Sequence, residues 1–165
     1  MVTHWRRLLR HLMLPPWRLR QALPAASLQA IEAAIAGSER HHRGQIRFAV
    51  DAVLDPWQLL RGLDARERAL QVFGQLRVWD TDENNGVLIY MLLADHRVEI
   101  IADRGIATRV VSIRWEEICT AMGQAFRRGD FEYGALEAVA AVGALLEAHY
   151  PGSADNTLAD APVVL

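Results

Sequence analysis

The chain has 165 residues, a length typical of one domain that can bury a hydrophobic core without disulfides. Apolar residues make up 52% and charged residues 23%, as in folded globular proteins. A single cysteine, Cys119, excludes an intramolecular disulfide, and the longest apolar run, residues 86–94, is too short to span a membrane. All 18 basic residues are arginine, and the absence of lysine excludes P-loop and Schiff-base chemistry.

The net charge of −2 is unevenly distributed along the chain. Residues 1–20 contain five arginines and no acidic residue. Residues 21–165 contain the other 13 arginines against all 20 acidic residues, a net charge of −7. Because a nucleic-acid-binding domain normally has a basic folded surface, we expect no nucleic-acid partner.

Residues 1–23 are interpreted as a basic amphipathic extension of the domain. Apolar residues recur there at helical spacing, with arginines and His11 on the other side, and Pro15-Pro16 end the helix. An arginine-rich amphipathic helix with tryptophan can lie on an anionic membrane, or dock on the domain or on an unidentified protein partner. We therefore expect peripheral contact with an anionic membrane through residues 1–20 as one function of this segment. The apolar positions are Trp5, Leu8, Leu9, Leu12 and Met13.

The domain is predicted over residues 24–150 and begins with a helix, a strand and a second helix. The first helix covers residues 25–41, and residues 45–51 alternate polar and apolar, as in a strand with one solvated face. Asp64 and Glu67 have the spacing of a capping box, which starts the next helix.

A central β-hairpin and two helices complete the predicted domain. Residues 87–94 are apolar throughout, which indicates a strand buried on both faces, and residues 97–103 return as its antiparallel partner. Two helices follow, separated by Gly129-Asp130 and ended by Pro151. Residues 151–165 are interpreted as a flexible acidic tail. This order predicts an α/β fold, a three-layer α/β/α sandwich with a small mixed sheet containing a β-hairpin.

The polar loop before the central strand, residues 80–86, is the main candidate for a functional site. Its side chains carry the oxygen ligands that Ca²⁺ and Mg²⁺ prefer. The hairpin return brings Asp103 to the same end of the sheet if the register is simple. The loop is not an EF-hand, because glycine and glutamate are absent from the required positions, and a solvated loop rich in turn-forming residues is the alternative. The proposed metal ligands are Asp80, Asp82, Asn84, Asn85 and Asp103.

Other site types have little support in the sequence. There is no paired-cysteine or HExxH zinc motif and no GxSxG nucleophile motif. Ser27 and Ser112 are interpreted as helix caps, and Cys119 as an inert thiol within an amphipathic helix.

Several segments together resemble the TPM domain family over about residues 25–150. They are IRFAV at 46–50, NNGVLIY at 84–90, DHRVEI at 95–100, DRGI at 103–106 and FRRGDFEYG at 126–134. The resemblance implies an α/β/α sandwich, a loop-built divalent-cation site as in some members, and the acid phosphatase activity reported for a plant member. Gln45 stands where the family often has glutamate, which removes one carboxylate.

Two functions follow as hypotheses. The first is a non-enzymatic module that binds Ca²⁺, Mg²⁺ or a protein partner. The alternative is a metal-assisted acid phosphatase acting on phosphomonoesters, with Asp80, Asp82 and Asp103 holding the metal and Arg97 or Arg104 stabilising phosphate charge. Family members often carry a signal peptide and a membrane anchor. Because neither is recognisable here, we expect a cytoplasmic protein, peripheral at the inner membrane.

Overall fold

A computed structural model describes the backbone of residues 2–165 and the side chains from Trp5 onward, so the first residues of the predicted extension lie outside the described side chains. Three helices precede the sheet: α1 (Val2–Met13), α2 (Trp17–Ala22) and α3 (Ala25–Ser38). The remaining elements are β1 (Gln45–Asp51), α4 (Pro56–Leu60), α5 (Ala65–Gln75), β2 (Gly86–Leu92), β3 (Arg97–Ala102), α6 (Arg104–Ala107), α7 (Ser112–Arg127), α8 (Phe131–His149) and β4 (Val163–Val164).

The four strands form one mixed sheet in the order β3-β2-β1-β4. Strands β1 and β2 are parallel, β1 and β4 are parallel, and β2 and β3 are antiparallel. Helices cover both faces, which confirms the predicted α/β/α sandwich. Alternate residues of β2 face opposite layers: Val87, Ile89 and Met91 join the core with α3, α7 and α8, whereas Leu88, Tyr90 and Leu92 face α5.

Strand β1 departs from the prediction of one solvated face, because all seven of its residues are buried. The C-terminal segment, residues 151–165, covers the polar side of β1. Gln45 Nε2 donates to the carbonyl of Asp155, Arg47 donates to the carbonyl of Ala159, and Val163 pairs with Ala49. The residues interpreted as a tail therefore contribute an edge strand, β4, that the sequence pattern does not reveal.

One of the three predicted helix N-caps is confirmed, and the other two are wrong. Asp64 and Glu67 form the predicted capping box of α5. Ser112 is not a cap, since Val111 holds that position, and Ser27 lies inside α3, where its hydroxyl contacts Glu132. Helix α3 ends at Ser38, three residues before the predicted end.

Candidate functional site

The polar loop and Asp103 lie at one end of the sheet. Strands β2 and β3 are in simple antiparallel register, with Val87 opposite Ala102. One residue beyond this pair, the Asp103 amide donates a hydrogen bond to the Gly86 carbonyl at 2.9 Å. The predicted closeness of Asp103 to the start of the central strand is therefore correct.

Asp103 has one occupied and one unpartnered carboxylate oxygen. Its Oδ1 accepts a hydrogen bond from the Arg104 amide at 2.7 Å and so caps α6. Its Oδ2 is buried and has no hydrogen-bond partner. A buried acceptor without a partner is uncommon, because desolvation is then uncompensated.

Backbone carbonyls of the loop face the start of α6. A Cβ on Gly105 would lie 2.3 Å from the Glu83 oxygen and 2.5 Å from the Asn84 oxygen. The Ile106 amide donates to the same Asn84 carbonyl at 3.3 Å. Only glycine allows this approach. It brings the carbonyl oxygens of Glu83 and Asn84 beside Gly105, two residues after Asp103.

The other predicted ligands have different environments. Asp80 and Asp82 are exposed, and Asn84 has a positive φ of 51° in the turn. Asn85 is buried and its Nδ2 donates to the Arg43 carbonyl at 3.2 Å, which is a structural role. Across the described residues, no three His, Cys, Asp or Glu side chains form a group that could hold a metal ion. A cation here would rely on Asp103 and on backbone carbonyls.

An exposed ion pair connects the loop to the C-terminal segment. Arg43 contacts Glu83 through Nε at 2.8 Å and Nη2 at 3.1 Å, and its Nη1 donates to the Pro151 carbonyl at 2.6 Å. The hydrogen bond from Arg43 lowers the pKa of Glu83. Glu83 therefore carries its charge at neutral pH but is engaged by arginine.

A serine–histidine pair that the sequence analysis missed lies at the end of α3. The Nδ1 of His42 donates to the Gly44 carbonyl at 2.9 Å, which leaves Nε2 to accept from the Ser38 hydroxyl at 2.8 Å. Burial lowers the pKa of His42 and favours this neutral form. A Cβ on Gly143 would lie only 2.1 Å from Ser38 Oγ. The hydroxyl therefore packs against α8, at the contact between α3 and α8.

A second missed cluster surrounds Glu39. Its Oε1 accepts from the Ile46 amide at 2.7 Å, while Oε2 is buried without a partner. Burial, together with the Asp160 carboxylate, raises the pKa of Glu39 to about 8. The buried Arg47 lies in the same cluster. Spacing alone could not reveal it, because its members come from α3, β1 and the C-terminal segment.

Arginine and histidine side chains attach the N-terminal helix to the hairpin turn. Arg7 Nε donates to Asp95 Oδ2 at 2.8 Å, and His11 Nε2 lies 3.1 Å from Asp95 Oδ1. The Leu54 amide donates to His11 Nδ1 at 2.9 Å, so the proton of the neutral ring is on Nε2. The side of α1 that carries Arg7 and His11 therefore faces the domain.

Comparisons with known proteins agree with this fold. The TPM domain family model matches residues 19–145. The NMR structure of the BA42 protein from the psychrophilic bacterium Bizionia argentinensis is similar, with 28% identity, a TM-score of 0.76 and coverage of 87% of this chain and 95% of that chain. The N-terminal domain of a P. gingivalis protein has 17% identity, a TM-score of 0.60 and coverage of 82% and 89%. No curated protein matches the sequence.

Proposed function

The chain belongs to the TPM domain family, and on this premise we propose that it is a binding module for a divalent cation, Ca²⁺ or Mg²⁺. The site is the sheet end where the polar loop meets Asp103. One observation carries the proposal: Asp103 Oδ2 is buried without a hydrogen-bond partner, beside a loop whose carbonyls face the start of α6. A bound cation would compensate this desolvated oxygen.

The donor types suit a hard cation. Ca²⁺ accepts carboxylate and backbone carbonyl oxygens together with water. Asp103 supplies the carboxylate and residues 83–84 the carbonyls, while the exposed Asp80 and Asp82 add negative charge to the same loop. This donor set has fewer carboxylates than the shell predicted from the sequence, so we expect weak binding.

A titration of the full chain with CaCl₂ or MgCl₂, followed by amide NMR shifts, tests the site. We expect saturable shifts at residues 83–86 and 103–106. Asp103→Asn should weaken binding at least about tenfold, because it removes the charge, and should keep α6, because asparagine is as good an N-cap. Asp64→Asn is the control, since Asp64 is also an N-cap aspartate, at the start of α5 and outside the proposed site. Unchanged shifts, or equal binding by Asp103→Asn, would refute the proposal.

The alternative is a metal-assisted acid phosphatase at the same site. Arg104 follows Asp103 directly in the chain, whereas Arg97 begins β3 at the opposite end of the strand, so Arg104 is the arginine proposed to stabilise phosphate charge. The Ser38 hydroxyl of the serine–histidine pair packs against Gly143 of α8, away from Asp103, so it is not part of this site. Magnesium-dependent hydrolysis of a phosphomonoester that Asp103→Asn abolishes, and Asp64→Asn does not, would favour the enzyme over the binding module.

A further inference from the structure

The N-terminal helix packs Leu8 against the core but presents other apolar residues to solvent. Trp5 is 63% exposed, Leu12 60% and Met13 76%. These positions point away from the domain, whereas His11 is 4% exposed and turned toward it. Rotating the helix to bury the apolar side would break the contacts of Arg7 and His11 with Asp95, so the apolar side stays outward.

Neighbouring helices add further exposed apolar residues. Trp17 at the start of α2 is 58% exposed, and Arg18 lies over its ring at 5.5 Å. Helix α4 packs beside α1 and contributes the exposed Trp57 and Leu60. Apolar groups concentrated in this way on a surface usually mark an interaction site. We refer to Trp5, Leu12, Met13 and Trp17 as the N-terminal apolar surface.

We propose that this surface docks on an anionic phospholipid bilayer, with α1 lying in the plane of the interface. Charge is the first argument. Arginines at positions 6, 10, 18 and 20 are exposed next to the apolar residues, whereas residues 21–165 carry a net charge of −7. An anionic membrane therefore attracts this end of the protein and repels the rest, which fixes the orientation.

A cleft beside the surface fits a lipid headgroup. It has a volume of about 410 Å³ and lies between α1, α2, the hairpin turn and the start of α8. Its lining is largely apolar, with Arg10, Arg18 and His96 as the basic residues, and Arg10 also contacts Asp95 at 3.3 Å. Tryptophan and arginine together are typical of segments that sit at headgroup level, since each combines an apolar body with a polar or charged end.

Two other modes of association fit less well. A symmetric contact between two copies would place the same arginines of both chains against each other, which is repulsive. Within residues 2–165, no helix combines the length and hydropathy needed to cross a bilayer.

Sedimentation of the full chain with vesicles tests the proposal. We expect binding to vesicles of phosphatidylglycerol and phosphatidylcholine, little binding to phosphatidylcholine alone, and weaker binding at high salt. Leu12→Ser and Trp5→Ser should each reduce partitioning about tenfold. Ile113→Ser and Trp79→Ser are the matched controls, since these residues are 52% and 50% exposed in α7 and in the turn after α5. Arg6→Gln should reduce binding about fivefold, and Arg127→Gln should leave it unchanged.

Three results would overturn the proposal. The first is no binding to phosphatidylglycerol vesicles. The second is equal binding by the Leu12 and Ile113 variants. The third is a dimer in light scattering that Leu12→Ser dissociates, which would identify a second copy as the occupant. None of them involves Asp103, so the cation proposal is tested separately.

Discussion

The Nε2 atom of His11 lies 3.1 Å from Oδ1 of Asp95, so a histidine at the centre of the polar side of α1 joins this helix to the hairpin turn. Burial alone would raise the pKa of Asp95, but hydrogen bonds from His11 and Arg7 outweigh it and lower the pKa to about 2. The carboxylate is therefore charged at all moderate pH values and holds the N-terminal helix by charged hydrogen bonds.

Asp95→Asn should lower the free energy of unfolding by about 2 kcal/mol, because it leaves buried cationic and donor groups without their carboxylate. Urea denaturation at pH 7 measures the loss. The native pKa is lower than the ordinary value of 3.8, so this stabilisation is present above about pH 4 and is lost as the pH falls toward 2. The difference in unfolding free energy between Asp95→Asn and wild type should fall toward zero over that pH range. Asp82→Asn, at an exposed position, is the control, and a difference that stays constant down to pH 2 would contradict the assignment.

A buried hydrogen-bond network on the α5 side of the sheet gives a second prediction. The hydroxyl of Tyr90 and the Nε of Arg68 both donate to Asp51 Oδ2 at 2.8 Å. Tyr90→Phe removes one donor from a buried carboxylate and should destabilise the protein by about 1–2 kcal/mol. Tyr133→Phe, at a residue 58% exposed, should change the unfolding free energy by less than about 0.5 kcal/mol. Equal effects in thermal or urea unfolding would contradict a role for the Tyr90 hydroxyl.

The sequence predicts best where the contacts are local or repetitive. The β2–β3 register followed from one apolar strand, one tight turn and its return, and it correctly placed Asp103. Helices α4 and α6 have five and four residues, too few for a periodic pattern to show.

Long-range polar contacts account for the main differences. The orientation of α1 depends on Asp95, which is more than 80 residues away, and the apolar pattern of the helix alone indicates the opposite face. The C-terminal segment is bound in part through its backbone carbonyls at residues 155 and 159, which any sequence possesses, and in part through the Thr157 hydroxyl, which donates to Gln45 more than 100 residues away. The Ser38–His42 pair is local in the sequence, but His42 lies beyond the end of α3, so helical spacing does not reveal the contact.

Gly105 gives a third prediction, on the loop beside Asp103. Gly105→Ala would place a methyl group against two backbone carbonyls that cannot move aside easily, and should destabilise the protein by about 2 kcal/mol or more. Gly74→Ala is the matched control, because a Cβ there meets nothing within 4 Å and alanine favours α5 by about 0.5–1 kcal/mol. The unfolding free energy measured in urea should therefore decrease for Gly105→Ala and increase for Gly74→Ala. An unchanged stability for Gly105→Ala would contradict the close approach of the two carbonyls.

Glu39 gives the last prediction, a dependence of stability on pH. Burial and Asp160 raise its pKa to about 8 from the ordinary value of 4.5, so the native state keeps a proton that the unfolded chain releases. Stability should therefore decrease as the pH rises from about 4.5 to 8 and change no further above that range. Glu39→Gln cannot ionise and still accepts a hydrogen bond from the Ile46 amide. It should be more stable than wild type by about 2 kcal/mol at pH 8.5.

Chemical denaturation from pH 5 to pH 9 measures this effect. The stability of Glu39→Gln and wild type should be similar at pH 5 and diverge as the pH rises. Glu32→Gln, at an exposed position of the same helix α3, should follow the wild-type curve. Parallel curves for Glu39→Gln and wild type would mean that Glu39 is ionised in the folded protein, and that Arg47 compensates its charge more strongly than burial opposes it.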